Sequence, residues 1–269
     1  MSETAPMIRR EGYTTIEITR EGPIDRVVLN RPERLNSITT TMFRELHRYL
    51  SGLCGDESCR VVTLRGAGRG FCAGMDIKEV VSGQGDGLFD NIYADSTEPN
   101  LHDLVRLMRA CPQPIIALVN GAAVGGGFGL ALAADVRIAG ASARMATGFT
   151  KVGTSGCEMG VSFLLPRLVG SGQALELMYT SRLIDAQRAL RIGLVNDVVA
   201  DEALDEAGRA LATEMLGASV LGLRRTKETF NRVQRLNDLD AALELESHTQ
   251  MRLAALEHMD RLKAFAERK

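Results

Sequence analysis

Apolar residues recur along this chain with two different periods, and the switches between them mark out its elements. Residues 14–19 alternate polar and apolar positions, the period of a half-buried strand, and after a Gly22-Pro23 turn Arg26-Val27-Val28-Leu29-Asn30 predicts a second strand. Between residues 39 and 53, Met42, Phe43, Leu46, Tyr49, Leu50 and Leu53 fall at helical spacing, with Thr39 or Thr40 as the cap. The short runs Val61-Val62-Thr63-Leu64-Arg65 and Ile115-Ile116-Ala117-Leu118-Val119 predict buried strands, the second bounded upstream by Pro112 and Pro114. A short helix is predicted over 77–81, and a longer one over 101–110 that Pro112 ends. Further strands are predicted at 136–139 and 195–199, while residues 82–87 have no apolar period and are expected to form a mobile loop. This β-β-α alternation implies an α/β protein of stacked sheets flanked by helices.

From Asp201 the pattern changes. Leu204, Ala207, Leu211 and Met215 keep a helical period, Gly and Pro become scarce, and no strand pattern returns. A boundary is expected near residue 200, between an α/β core over 1–200 and a helical region over 201–269 whose role is packing or subunit contact.

Bulk properties narrow the class. A chain of 269 residues can bury a substantial core. A formal charge of −2 with both signs interspersed argues against nucleic acid as the main partner. No apolar run approaches the roughly 18 residues of a membrane span, and the N-terminal residues lack the layout of a signal peptide, so a cytoplasmic protein is expected. Cys54, Cys59, Cys72, Cys111 and Cys157 are odd in number and scattered, unlike a disulfide framework, and neither a CxxC pair nor an HExxH pattern suggests a metal. Cys157, beside Glu158 but without a local histidine, reads as a packing residue rather than a nucleophile.

The candidate chemistry lies in two glycine loops. After the 115–119 strand come Asn120-Gly121-Ala122-Ala123-Val124, Gly125-Gly126-Gly127-Phe128-Gly129 and a predicted helix at Leu130-Ala131-Leu132-Ala133-Ala134. Glycines at a helix start bare backbone N–H groups that, with the helix dipole, suit an anion or a developing oxyanion. The 61–65 strand leads likewise into Gly66-Ala67-Gly68-Arg69-Gly70 and Phe71-Cys72-Ala73-Gly74-Met75-Asp76-Ile77-Lys78. Together with Asn30-Arg31-Pro32-Glu33-Arg34-Leu35-Asn36, these loops resemble the crotonase (enoyl-CoA hydratase/isomerase) superfamily over nearly the whole chain.

The resemblance implies a ββα superhelical core with a C-terminal helical region, and an acyl-CoA thioester as substrate. Coenzyme A then enters as part of the substrate, and no separate cofactor or metal is implied. The resemblance assigns the two oxyanion donors to the backbone of Met75 and Gly126. It lays Ala73, Met75, Asp76, Ile77 and Lys78 against the CoA moiety, with Lys78 either a phosphate contact or a solvated surface cation. C-terminal helices of the resembled family support trimers, often paired into hexamers, and can cover a neighbour's acyl-CoA site.

Hydratases of this family carry two glutamates, and the matching positions here are Gly129 and Phe149. Ordinary two-glutamate hydration is therefore in doubt. A carboxylate does stand close by in sequence, Glu158 in Cys157-Glu158-Met159-Gly160, a placement similar to the Asp-Val-Gly of dienoyl-CoA isomerases in the superfamily. Glu158 serves either proton transfer or capping of the apolar helix that follows. Asp135 reads as structural, and His102 and Asp103 are marked only by lying near the 82–87 loop. Dihydroxynaphthoyl-CoA synthases also carry Gly at the first glutamate position, but their Asp after Val-Gly-Ser has no counterpart in Val152-Gly153-Thr154. Two readings follow: a fatty-acid-type acyl-CoA isomerase or hydratase-like lyase working through Glu158, and an acyl-CoA binding protein that has lost its chemistry.

Overall fold

A computed structural model describes residues 7–83, 99–258 and 266–267. Most of the expected 82–87 loop lies outside the described residues. The chain opens with a meander, β1 (Met7–Arg9), β2 (Ile16–Glu21) and β3 (Ile24–Leu29), followed by helix α1 (Thr40–Leu53). Thr39 is the cap of α1, its hydroxyl accepting the Met42 N–H at 3.2 Å.

A repeated unit follows, in which a long strand, a three-residue strand and a helical stretch succeed one another. The first unit is β4 (Val61–Gly66), β5 (Gly70–Cys72), α2 (Ile77–Ser82) and α3 (Leu101–Ala110). The second is β6 (Ile115–Val119), β7 (Ala122–Val124) and α4 (Gly126–Ala133). The third is β8 (Val136–Gly140), β9 (Arg144–Ala146), α5 (Val161–Val169) and α6 (Ser171–Thr180). Then come β10 (Ile184–Asp185), α7 (Ala186–Arg191), β11 (Asp197–Val199), α8 (Leu204–Leu216), α9 (Val220–Val233) and α10 (Leu239–Leu253).

The long strands form a seven-stranded sheet in the order β1-β2-β3-β4-β6-β8-β11, parallel from β3 onward. The short strands form a second sheet, β10-β9-β7-β5, parallel except at β10. Each unit thus contributes one strand to each sheet before its helix, which is the stacked α/β arrangement expected from the alternation. All five residues of β6 are buried, as its unbroken apolar run requires of a central parallel strand.

Three readings shift in detail. The helix after the glycines begins at Gly126 and ends at Ala133, with Ala134 outside it, so three glycines lie within the helix. Ala122–Val124, in the glycine loop, is a strand. The 195–199 strand is shorter, Asp197–Val199, because Leu194 and Val195 turn into the core instead of pairing.

Asp135, just past α4, ties four elements together and is consumed in doing so. It accepts the Ile115 N–H at 2.8 Å and pairs with Arg109 of α3 at 3.2 Å and with the buried Lys227 of α9 at 2.8 Å. Lys227 also donates to the carbonyls of Met108 and Gln113, so its charge is fully satisfied where burial would otherwise be costly. α8 buries Leu204 and Ala212 against Ile116, Leu118 and Ile138 and so covers the other face of the large sheet.

Candidate active site

The two glycine loops meet because the strands feeding them are neighbours. β5 and β7 run parallel, with Gly70 opposite Ala122 and Cys72 opposite Ala123, so the segments leaving both strands emerge at the same end. The Asn30–Asn36 segment holds the first of them in place. Ala73 N–H donates to Leu35 O at 2.9 Å, Ile38 N–H to Gly74 O at 2.7 Å, and Asp76 N–H to Ile38 O at 2.9 Å. Asn36 Nδ2 donates to the carbonyls of Ala67 and Gly70, and Asn120 Nδ2 to that of Gly68, which links both loops.

Gly74 has φ of +96°, and a Cβ there would lie 2.8 Å from Val124 O and 3.3 Å from Gly126 N. Only glycine allows both that backbone and that approach. Gly125, at φ 56° and ψ −121°, turns β7 into α4 and leaves the N–H of Gly126 as the first of the helix's free donors. A Cβ on Gly126 would stand 3.9 Å from Met75 N, so the two amides are close neighbours. Neither amide donates a hydrogen bond among the described residues. The structure therefore brings together the two residues singled out as donors.

The residues around them divide by how their side chains are used. Asp76 caps α2 through Lys78 N–H and Glu79 N–H, and it pairs with Arg31 at 3.0 Å and Ser37 Oγ at 3.1 Å. Burial works against its charge, yet Arg31, Ser37 and the Glu79 amide outweigh it and hold the carboxyl below its usual range. Asp76 thus shapes the loop rather than presenting a free carboxylate. Ile77 and Lys78 are exposed beside it, and Lys78 has no ion pair among the described residues. Burial pushes the Cys72 thiol up to about 12, which makes it a poor nucleophile, and Cys157 is exposed with no hydrogen bond to its Sγ among the described residues.

Gly129 lies one turn along α4 from Gly126, and a Cβ there would fall 2.6 Å from Met159 Cβ. The buried Met159 occupies the space that any side chain at 129 would need. Replacing Gly129 with Ala is therefore expected to destabilise the protein by about 1–2 kcal/mol, because overpacking exceeds the roughly 1 kcal/mol that Ala gains over Gly in a helix. Urea denaturation checks this, and an unchanged or raised midpoint would show that Met159 yields freely. Phe149 is half-buried in a short 3-10 turn, with its ring Cε1 3.9 Å from the Cβ position of Gly125. An apolar ring thus borders the donor loop.

Glu158 does not cap α5. The residue at the cap is Gly160, and no side chain bonds to that helix start. Its Oε1 instead accepts the neighbouring Met159 N–H at 3.1 Å and is in contact with His102 Nε2. Its Oε2 has no hydrogen-bond partner among the described residues. Glu158 thus precedes in sequence the Met159 that packs against Gly129 in the first turn of α4.

His102 and Asp103, marked only by position in the sequence, have separate uses. Asp103 closes a capping box with Asn100 and bonds Arg106, whereas His102 alone faces Glu158. The Asn-x-x-Asp spacing could have fixed the helix start from sequence; the partner of His102 could not be read there. A separate cavity of about 720 Å³ lies at the far end of α4, between α3, α5 and α9, lined by Leu132, Leu164 and Phe230 among others. Met75, Gly126, Phe149, Glu158 and His102 are not among its lining residues.

The family profile described as Enoyl-CoA hydratase/isomerase matches residues 19–269. "Probable enoyl-CoA hydratase EchA12" of Mycobacterium tuberculosis is 43% identical over 228 residues, covering 84% of this chain and 78% of that protein. A crystal structure of an enoyl-CoA hydratase from Bacillus anthracis superposes with a TM-score of 0.87 at 31% identity, covering 95% of this chain and 97% of the other. A monofunctional enoyl-CoA isomerase from M. smegmatis superposes with a TM-score of 0.72 at 37% identity, covering 85% and 98%.

Proposed function

This chain belongs to the enoyl-CoA hydratase/isomerase family, and we propose that it moves a double bond along the acyl chain of a CoA thioester using Glu158 as its single proton carrier. In this reading the Met75 and Gly126 N–H groups receive the thioester oxygen. Glu158 Oε2 takes a proton from a carbon beside the carbonyl, and the C–H electrons pass into a dienolate whose negative oxygen the two amides stabilise. The proton then returns from Oε2 to the far end of the conjugated system, and the double bond has shifted with no water consumed. Removing one such donor in other enzymes costs about 3–4 kcal/mol, so two donors supply a large share of the barrier reduction.

The observation that carries the reading is the carboxylate count. Hydration needs one group to activate water and another to protonate carbon. Here the resemblance puts hydratase glutamates at Gly129 and Phe149, where the structure has a methionine side chain packed in and an aromatic ring. A carboxylate with one oxygen open among the described residues, as Glu158 has, suits proton shuttling. The 37% identity to a monofunctional enoyl-CoA isomerase from M. smegmatis supports this reading. In this reading the coenzyme A carried by the substrate takes the place of a separate cofactor.

The apolar surround of Phe149 also favours a second reading, a binding protein without turnover. Offering the protein 3-enoyl- and 2-enoyl-CoA thioesters separates the two. Conversion between the positional isomers, with hydration at least about a hundredfold slower, is expected. Hydration as the main reaction would overturn the proposal, binding without any turnover would favour the second reading, and absence of binding would exclude both.

Assembly as a homotrimer or hexamer belongs to the same proposal. Leu239, Leu243, Met251 and Leu256 are exposed along the C-terminal helical region, an apolar surface of the kind subunit contacts cover. No described helix is long and apolar enough to cross a membrane, and the five free cysteines accord with a cytoplasmic location.

A further inference from the structure

We infer that His102 is a positioning residue for Glu158, engaging one carboxylate oxygen so that the other is presented to the acyl carbons. The inference rests on the reading of Glu158 given above. A carboxylate only accepts hydrogen bonds, so the His102 ring carries its proton on Nε2 when it meets Oε1. Met159 N–H shares that same oxygen, which leaves Oε2 without a partner among the described residues. One backbone donor from the adjacent residue leaves the carboxylate plane free to turn; a second donor from a different helix fixes it.

The ring is itself held by rigid structure. His102 is at the second position of α3, whose start is pinned by the Asn100–Asp103 capping box. α3 packs against the start of α5, where a Cβ on Gly160 would lie 3.3 Å from Val105 Cγ1. Asp103 is occupied by the Asn100 N–H and Arg106 and does not compete for the ring. During the shuttle the substrate proton resides on Oε2 and returns to carbon, while the His102 proton stays on Nε2.

The test is a double-mutant cycle between His102→Leu and Glu158→Gln, followed by positional isomerisation of an enoyl-CoA. His102→Leu is expected to lower kcat by about ten- to a hundredfold, because a small misplacement of a reacting group costs that much. KM and the thermal midpoint should stay near wild type, since the side chain is 37% exposed at a helix end. His102→Gln keeps an N–H donor and should restore most of the loss. In the Glu158→Gln background, His102→Leu should cost nothing further in residual turnover.

An unchanged kcat in His102→Leu would overturn the inference. So would the same loss in both backgrounds, or a fall in kcat that follows the thermal midpoint and is not rescued by Gln. Wild-type turnover in Glu158→Gln alone would instead bring down the reading of Glu158 itself.

Discussion

Glu158→Gln is expected to reduce turnover of an enoyl-CoA by about 10²–10⁴-fold, the usual contribution of a general acid–base group. Gln has the same shape and keeps an oxygen that accepts the Met159 N–H, so the local fold should survive. What it lacks is a site that can take a carbon-bound proton at neutral pH. Acyl-CoA affinity should therefore change little, because the proposed holders of the thioester oxygen are backbone amides that the substitution leaves alone. The split is the point of the experiment. A loss confined to kcat assigns proton transfer to Glu158, whereas equal losses in kcat and affinity assign it to binding. Turnover at the wild-type level would remove Glu158 from the mechanism altogether, since Asp76 is committed to Arg31 and the α2 cap and Asp103 to the α3 cap.

Gly126→Pro tests the other half of the chemistry. Proline is favoured at the first position of a helix, where its missing N–H would have no intrahelical acceptor, so α4 should still form. The residue before it is Gly125, which tolerates backbone conformations closed to other residues. The substitution deletes one oxyanion donor and places a ring carbon where the N–H pointed. Turnover is expected to fall by about 10²–10³-fold or more, as for removal of an oxyanion donor elsewhere, with affinity lowered as well. Gly126→Ala is the control. It keeps the N–H and adds a Cβ 3.3 Å from Ile38 Cδ1, the end of a flexible side chain that can give way. Ala should keep most of the turnover that Pro loses. If Ala were as inactive as Pro, crowding against Ile38 rather than the donor would account for both.

The two substitutions probe features of unequal legibility. The glycine run after a β-branched strand is a local pattern, and so are the bare N–H groups it leaves, while Gly126 and Met75 were picked out within the two loops by the family resemblance. The long strands and amphipathic helices were readable for the same reason. Ile115–Val119 is an unbroken apolar run, and the buried residues of α1 fall at the expected helical spacing. The second sheet was not readable. Its strands β5, β7 and β9 have three residues each, too few to show an alternation, and they exist because their partners come from other units of the chain. The early start of α4 is similar. Glycine is a poor helix former, so tertiary packing rather than propensity carries Gly126, Gly127 and Gly129 into the helix.

Glu158 shows the boundary most sharply. As a helix-preceding carboxylate it suited both capping and catalysis, since short-range pattern is identical for the two. The packing of α3 against α5 delivers His102, 56 residues away, to Oε1, while α5 begins at Gly160 without a side-chain cap, and neither contact has a signal in the local sequence. Local sequence, then, sets the loops, the donors they expose and the lack of a carboxylate at 129 and 149, because these depend on neighbouring residues and backbone geometry. Folding in three dimensions sets what those loops and their neighbours face: Met159 filling the space over Gly129, Phe149 beside Gly125, and His102 in contact with Glu158. Such contacts join segments whose separation along the chain carries no periodic signal, and only the packing of sheets and helices brings them within reach.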